Sequence, residues 1–164
     1  MIKLAGISAL SLAIWLYSVF LSSGIKKKIA FEDGLVTLLS HIKTMIHAEG
    51  MPLSKIYESF SERALDSGGF TEKLKKGGCS PLREALESSG KEFFADDGIR
   101  SLALSFSEQI GACPSAADGE ALCEKYIALI KERICAVRQQ DITRAALYGK
   151  LGVIAAAFVF LMFI

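Results

Sequence analysis

The sequence is poor in the groups that usually carry chemistry. Among 164 residues there are two histidines, four cysteines, three prolines and one tryptophan. It has almost no surplus of charge, with 19 Lys and Arg against 18 Asp and Glu. Displacing counterions from phosphates needs a surplus of cations, so a basic nucleic-acid-binding domain is excluded. A disordered polyelectrolyte is excluded as well, because 51% of the residues are hydrophobic and the mean hydropathy is +0.37. No C-x-x-C, H-E-x-x-H or G-x-x-x-x-G-K-[ST] pattern occurs, which leaves zinc, metalloprotease and P-loop chemistry without a signature. Charge is absent from a long run near each end. Residues 4–25 and 151–164 contain no Asp, Glu, Lys or Arg, so an ion or proton pathway through them has no support.

What is present is apolar ends and a charge-balanced middle. Every acidic residue, and every basic one except Lys3, lies between Lys26 and Lys150. As a helix, residues 4–25 would extend about 33 Å, enough to cross a hydrocarbon core of about 30 Å. Trp15, Tyr17 and Phe20 fall in its second half, where aromatic anchors meet an interface. A cleavable signal peptide is the rival reading, with Lys3 as its basic start and Ser22-Ser23-Gly24 as its small-residue cleavage site. The length of the apolar run and the immediate Lys26-Lys27-Lys28 stop predict an uncleaved anchor instead. The C-terminal run from Leu151 makes only about 21 Å. Beginning at Leu147, with Lys150 snorkelling, it reaches about 27 Å, and its last ten residues offer no polar face. A second span is expected there, a buried terminal helix being the alternative. Lys26, Lys27, Lys28, Arg138, Arg144 and Lys150 flank the two segments on the domain side, and only Lys3 stands beyond. The domain is therefore expected to face the cytoplasm.

The middle reads as helices. Phe31, Leu35, Leu38, Leu39, Ile42, Met45 and Ile46 recur at helical spacing, opposite a face carrying Glu32, Asp33, Thr37, Ser40, His41, Lys43 and Thr44. Gly50 is expected to end this helix and Pro52 to open the next, which carries Leu53, Ile56, Tyr57 and Phe60 and stops near Gly68-Gly69. A short piece around Phe70 and Leu74 ends at Gly77-Gly78. Ser80-Pro81 reads as an N-cap and first turn for a helix burying Leu82, Ala85, Leu86 and Phe93. Asp96-Asp97 opens another, with Ile99, Leu102, Ala103, Phe106 and Ile110 inside. After Cys113-Pro114, one long helix is expected to carry Cys123, Ile127, Ile130, Ile134 and Val137 and to run on into the terminal apolar segment. No period-two alternation suggests a strand. The predicted fold is all-α: a bundle of about five to six helices with N- and C-terminal transmembrane helices.

Candidate chemical groups are few. Cys79, Cys113, Cys123 and Cys135 show no metal-ligand spacing, and Cys123 belongs to an apolar stripe. His41 and His47 are about 240° apart around a helix and cannot share a metal. His47 precedes Pro52-Leu53 by five residues, as in the phosphoacceptor box of sensor kinases, yet Gly50 interrupts the helix such a box needs. Lys75-Lys76-Gly77-Gly78 reads as a helix stop rather than a phosphate cradle. Ala5, Ala9 and Ala13, and Gly152 with Ala156, are spaced for close helix contact in a membrane, although ordinary membrane alanines and glycines give the same pattern.

The order of parts carries a resemblance. An N-terminal anchor and basic stop lead to Glu49-Gly50-Met51-Pro52-Leu53, a helical middle follows, and Tyr148-Gly149-Lys150-Leu151-Gly152 opens the last apolar run. This resembles the stage III sporulation protein AB family of endospore-forming bacteria over essentially the whole chain. The most telling pieces are the G-x-P-L turn at residues 50–53, the segment 102–111 and the Tyr-x-x-Leu-Gly approach to the final span. The resemblance implies a cytoplasmic domain similar to the F domains of type II secretion and type IV pilus platforms. It also implies a place in the mother-cell membrane around the forespore, beside a secretion-type ATPase and other stage III sporulation membrane proteins. The chain departs from the family pattern after Ile110-Gly111, where Ala112-Cys113-Pro114-Ser115-Ala116-Ala117 precedes Asp118.

The expected organisation is a transmembrane helix at residues 1–25, a cytoplasmic helical bundle at 26–147 and a transmembrane helix at 148–164. The expected function is that of a non-enzymatic platform subunit. It would need no cofactor, metal, small-molecule substrate or nucleic acid, and its partners would be the bilayer, the ATPase and the other sporulation proteins. Glu32, Asp33 and Lys43 on the first helix, and Lys73, Lys75 and Lys76, are the candidate partner-binding residues. The alternatives are a phosphoacceptor domain using His47 and a membrane-anchored scaffold outside sporulation.

Overall fold

The computed structural model describes residues 2–49, 51–66, 69–76 and 80–163. Among the described residues there is no strand, and seven α-helices occur: α1 (Ile2–Glu49), α2 (Leu53–Ser59), α3 (Arg63–Asp66), α4 (Phe70–Lys76), α5 (Pro81–Ser88), α6 (Asp97–Ile110) and α7 (Ala116–Phe163). A 3-10 turn at Lys91–Phe93 links α5 to α6. The chain divides into two compact units. Residues 28–137 form a helical unit, and residues 1–27 with 138–164 form a second unit made of the outer parts of α1 and α7, called here the hairpin.

Helix α1 takes in both the apolar N-terminal run and the Phe31–Ile46 stripe without a break. Nothing between Lys26 and Ala30 would stop it, since Lys and Ala are strong helix formers and Gly and Pro are absent there. The expected stops at Gly50, Gly68 and Gly77-Gly78 lie outside the described residues, as does Cys79. The second predicted helix is interrupted earlier than its pattern suggests. Phe60 adopts extended dihedrals (φ −77°, ψ 134°), ends α2 and is itself buried, so burying the ring replaces another helical turn.

The helical unit is organised around α1. Phe31, Leu35, Leu38, Leu39 and Ile42 are fully buried, as the 3.6-residue period predicts. Phe31 stands at the centre of an aromatic cluster, its ring centroid 5.7 Å from Phe70, 5.6 Å from Phe93 and 5.2 Å from Phe94. The edge-on approach of Phe70 and Phe94 sets ring edges against the π-face. Ile56 and Tyr57 of α2, Leu65 of α3, Leu74 of α4 and Leu82, Ala85 and Leu86 of α5 complete this side of the core. On the other side α6 contributes Ile99, Ala103 and Phe106, and α7 contributes Cys123, Tyr126, Ile130 and Ile134. Gln109 donates to the Tyr126 hydroxyl at 2.9 Å, so this buried phenol has a partner.

One local expectation holds in position without its side-chain bond, and another is corrected. Ser80 occupies the cap position of α5 with Pro81 following, but its hydroxyl makes no capping bond; only its carbonyl is used, accepting from the Glu84 amide at 3.0 Å. Phe93 was expected inside the bundle, yet Phe94 is the deeper ring, with 3% exposure, while Phe93 is only partly buried. The cause is Gly90. Its φ of +71°, open to glycine at little cost, turns the chain out of α5 and shifts the register by one residue through the 3-10 turn.

Candidate functional site

The hairpin turns an apolar surface outward. Leu10, Leu12, Trp15, Leu16, Tyr17 and Phe20 of α1, and Leu147, Leu151, Val153, Ile154, Phe158 and Leu161 of α7, are all exposed. Single exposed apolar residues are normal on a soluble protein, but a continuous band along two helices marks contact with lipid or protein. Among the described residues one helix, α7, is long and apolar enough to cross a membrane. Inside the hairpin, the Ser18 hydroxyl donates to the Tyr148 carbonyl. Gly152 packs against the same serine, so that a Cβ there would collide with the Ser18 side chain. Of the small residues expected to mediate close contact, Gly152 therefore lies at a contact between the two helices, while the side chains of Ala5 and Ala9 lie outside the described residues.

The helical unit carries a polar seam between α1 and α7. Lys43 Nζ lies 2.5 Å from Glu124 Oε1, and His47 Nδ1 lies 2.8 Å from Glu120 Oε2. Their hydrogen bond raises the affinity of Lys43 for its proton and lowers that of Glu124. An open groove of about 480 Å³ follows this seam, lined by Ser40, Lys43, Thr44, Glu124, Ile127 and Lys131. His47 itself is exposed and stands two residues before the end of α1. A second link joins α6 to α7: Arg133 Nε lies 2.5 Å from Asp96 Oδ2. The hydrogen bond from Arg133 holds the Asp96 carboxyl below the usual carboxylate range, and the Gly98 and Ile99 amides add to it.

The six candidate partner-binding residues do not make one surface. Asp33 is exposed, as are Lys73, Lys75 and Lys76 on α4, where Lys76 pairs with Glu72 at 2.8 Å. Lys43 is committed to the seam. Glu32 corrects the expectation of an exposed polar face, being only 3% exposed, with its carboxylate accepting the Ala95 amide at 2.8 Å. The signal was in the sequence. Glu32 shares helical register with Leu35, Leu39, Ile42 and Ile46, so it falls on the buried stripe and becomes a tie between α1 and the segment before α6. Glu32→Ala is expected to leave the Ala95 amide unsatisfied and cost about 1–3 kcal/mol, with Glu32→Gln costing less because an acceptor remains. Urea unfolding followed by circular dichroism on the detergent-solubilised protein checks both variants.

Two further clefts share Leu53, Ile110 and Gly111. One of about 300 Å³ is lined mainly by Ile46, Met51, Pro52, Cys113 and Pro114, the other of about 190 Å³ by Tyr57, Ser80, Leu82, Arg83 and Ser107. Cys113 faces the first, but desolvation, aided by the Asp118 charge, raises its thiol pKa and disfavours the nucleophilic thiolate. Cys123 lies in the core, where burial pushes its thiol up to about 11. Among the described residues, no group of three His, Cys, Asp or Glu could hold a metal ion. No known protein family matches the chain, nor does any characterised protein or solved structure.

Proposed function

We propose that this protein is a non-enzymatic, membrane-anchored platform subunit of a secretion-like assembly that serves endospore formation. The observation that carries the reading is the division of labour within one chain. The helical unit has an aromatic and aliphatic core of its own, and the hairpin presents apolar side chains outward. A protein of this kind supplies anchorage and helix faces rather than chemistry. On this reading both terminal segments span the mother-cell membrane around the forespore, and the helical unit faces the cytoplasm on the side of Lys26, Lys27, Lys28, Arg138, Arg144 and Lys150. The resemblance in order of parts to the stage III sporulation protein AB family supports the assignment. It also supports a secretion-type ATPase as the docked partner and source of energy. Lys73 and Lys75 are exposed on α4 for such docking, and Asp33 and the Glu72-paired Lys76 are exposed as well. The near balance of charge in the middle of the chain suits specific contacts better than broad attraction.

The test is co-purification of the detergent-solubilised full-length protein with the secretion-type ATPase that the resemblance implies, followed by calorimetric titration of ATP into each component. ATP binding by the ATPase alone, with the two proteins co-eluting, is expected. Micromolar ATP binding by this chain, or failure of the pair to associate, would overturn the proposal.

A further inference from the structure

We propose that the polar end of the hairpin is a binding surface for anionic phospholipid headgroups, formed by Lys26, Lys27, Arg144 and Lys150. The inference rests on the membrane-anchored reading and adds to it a lipid class and the residues that select it.

The first observation is a contrast in charge pairing. Residues 28–137 hold 17 Asp and Glu against 13 Lys and Arg, and four of those cations (Lys43, Lys76, Arg83 and Arg133) lie within ion-pair distance of a carboxylate. On the hairpin, Lys26, Lys27, Arg144 and Lys150 are exposed, and none has an ion-pair partner among the described residues. The only acidic residue in segments 10–27 and 138–159 is Asp141, which is buried at 9% exposure. Arg138 is half-buried and already engaged, so it is not counted with them. Lys26, Lys27, Arg144 and Lys150 therefore have no exposed carboxylate among the described residues of the hairpin to neutralise them.

The second observation is where they stand. Ser18 meets both Tyr148 and Gly152, which fixes a common level on the two antiparallel segments. From that level towards the polar end, Arg144 is about 6–12 Å away along α7, and Lys26 and Lys27 are about 12–14 Å away along α1. Lys150 stands at the level itself, between exposed Leu147 and Leu151, and its long stem allows the ammonium to reach outward. In the opposite direction the exposed side chains are apolar: Leu12, Trp15 and Leu16 on α1, Ile154 and Phe158 on α7. A free phosphate ion would gain only the charge. A phospholipid gains the charge at its headgroup and the apolar band along its acyl chains, so the surface fits the lipid. A zwitterionic headgroup brings its own cation and loses much of the advantage.

Trp15 is the only tryptophan and is exposed on the hairpin, about 16 Å along α1 from Lys26, where the acyl chain of a lipid held at Lys26 would pass. The test reconstitutes the full-length protein into phosphatidylcholine vesicles and measures Trp15 quenching by brominated phosphatidylglycerol and by brominated phosphatidylcholine. Preference for the anionic lipid by roughly fivefold or more is expected, the value for one exposed basic residue at an anionic surface. It should shrink towards unity at about 1 M salt, where screening is nearly complete. It should also be lost in the combined variant Lys26→Gln, Lys27→Gln, Arg144→Gln, with quenching by the choline lipid and the helical circular dichroism unchanged. Equal quenching by both lipids would overturn the proposal while leaving the anchor reading standing. A preference that survives the triple variant would overturn the assignment to these residues. No quenching by either lipid would overturn the anchor reading itself, and this inference with it.

Discussion

Phe31→Ala is expected to cost the helical unit about 3–5 kcal/mol, the range for removing a buried phenylalanine. Phe31 is fully buried and touches three other rings, so its loss opens a cavity and removes aromatic pairings worth about 0.5–1.5 kcal/mol each beyond their area. The total stability of a domain is about 5–15 kcal/mol, so this one substitution takes a large share of it. Amide hydrogen exchange on the detergent-solubilised protein provides the measurement. Protection in α4 and in the segment joining α5 to α6 should fall by roughly 10²–10⁴-fold, because Phe70, Phe93 and Phe94 come from those stretches. Phe20→Ala is the control. Its ring is 74% exposed on the hairpin, and exchange in the helical unit should be unaffected. Unchanged protection in the Phe31 variant would mean that the cluster is not the centre of the core.

Two glycines three residues apart on α7 should respond in opposite directions to the same replacement. A side chain at Gly152 would run into Ser18, and Gly152→Leu is expected to push the two helices apart at a cost of about 1–3 kcal/mol. An added Cβ at Gly149 meets nothing within 4 Å. Gly149→Leu should therefore be neutral or stabilising, since glycine is the poorer helix former by about 0.5–1 kcal/mol. Thermal melting of the solubilised protein, read from Trp15 emission, separates the two. The Gly152 variant should melt several degrees lower and the Gly149 variant no lower than the parent. Equal behaviour would show that close approach at Ser18 does not hold the hairpin together.

The buried stripe of α1 was readable because every third or fourth residue from Phe31 to Ile42 is large and apolar, and the period holds whatever the helix packs against. The same holds for Ile99, Ala103 and Phe106 on α6, and for Cys123, Ile130 and Ile134 on α7. Glu32 was legible in principle, since it shares that register, but its polar chemistry pointed to solvent. A partner on another segment, the Ala95 amide, helps to make its burial tolerable, and register alone does not supply that partner. The exchange of Phe93 for Phe94 had a local origin instead, because the left-handed Gly90 turns the chain out of α5 before either ring.

The all-helical character, the long final helix and the gathering of nearly all charge in the middle of the chain follow from the residues in order. These depend on local periodicity and composition, which are properties of neighbouring residues. Tertiary structure alone decided that Glu32 is a tie rather than a docking residue, that Lys43 and His47 face Glu124 and Glu120, and that Ser18 and Gly152 meet. It also decided that Lys26, Lys27, Arg144 and Lys150 stand without ion-pair partners among the described residues while Lys43, Lys76, Arg83 and Arg133 find carboxylates. Each of these joins residues between 63 and 134 positions apart or, for the cations, depends on which carboxylates come within reach. Residues that distant meet only after the helices have packed, and no window of sequence contains both.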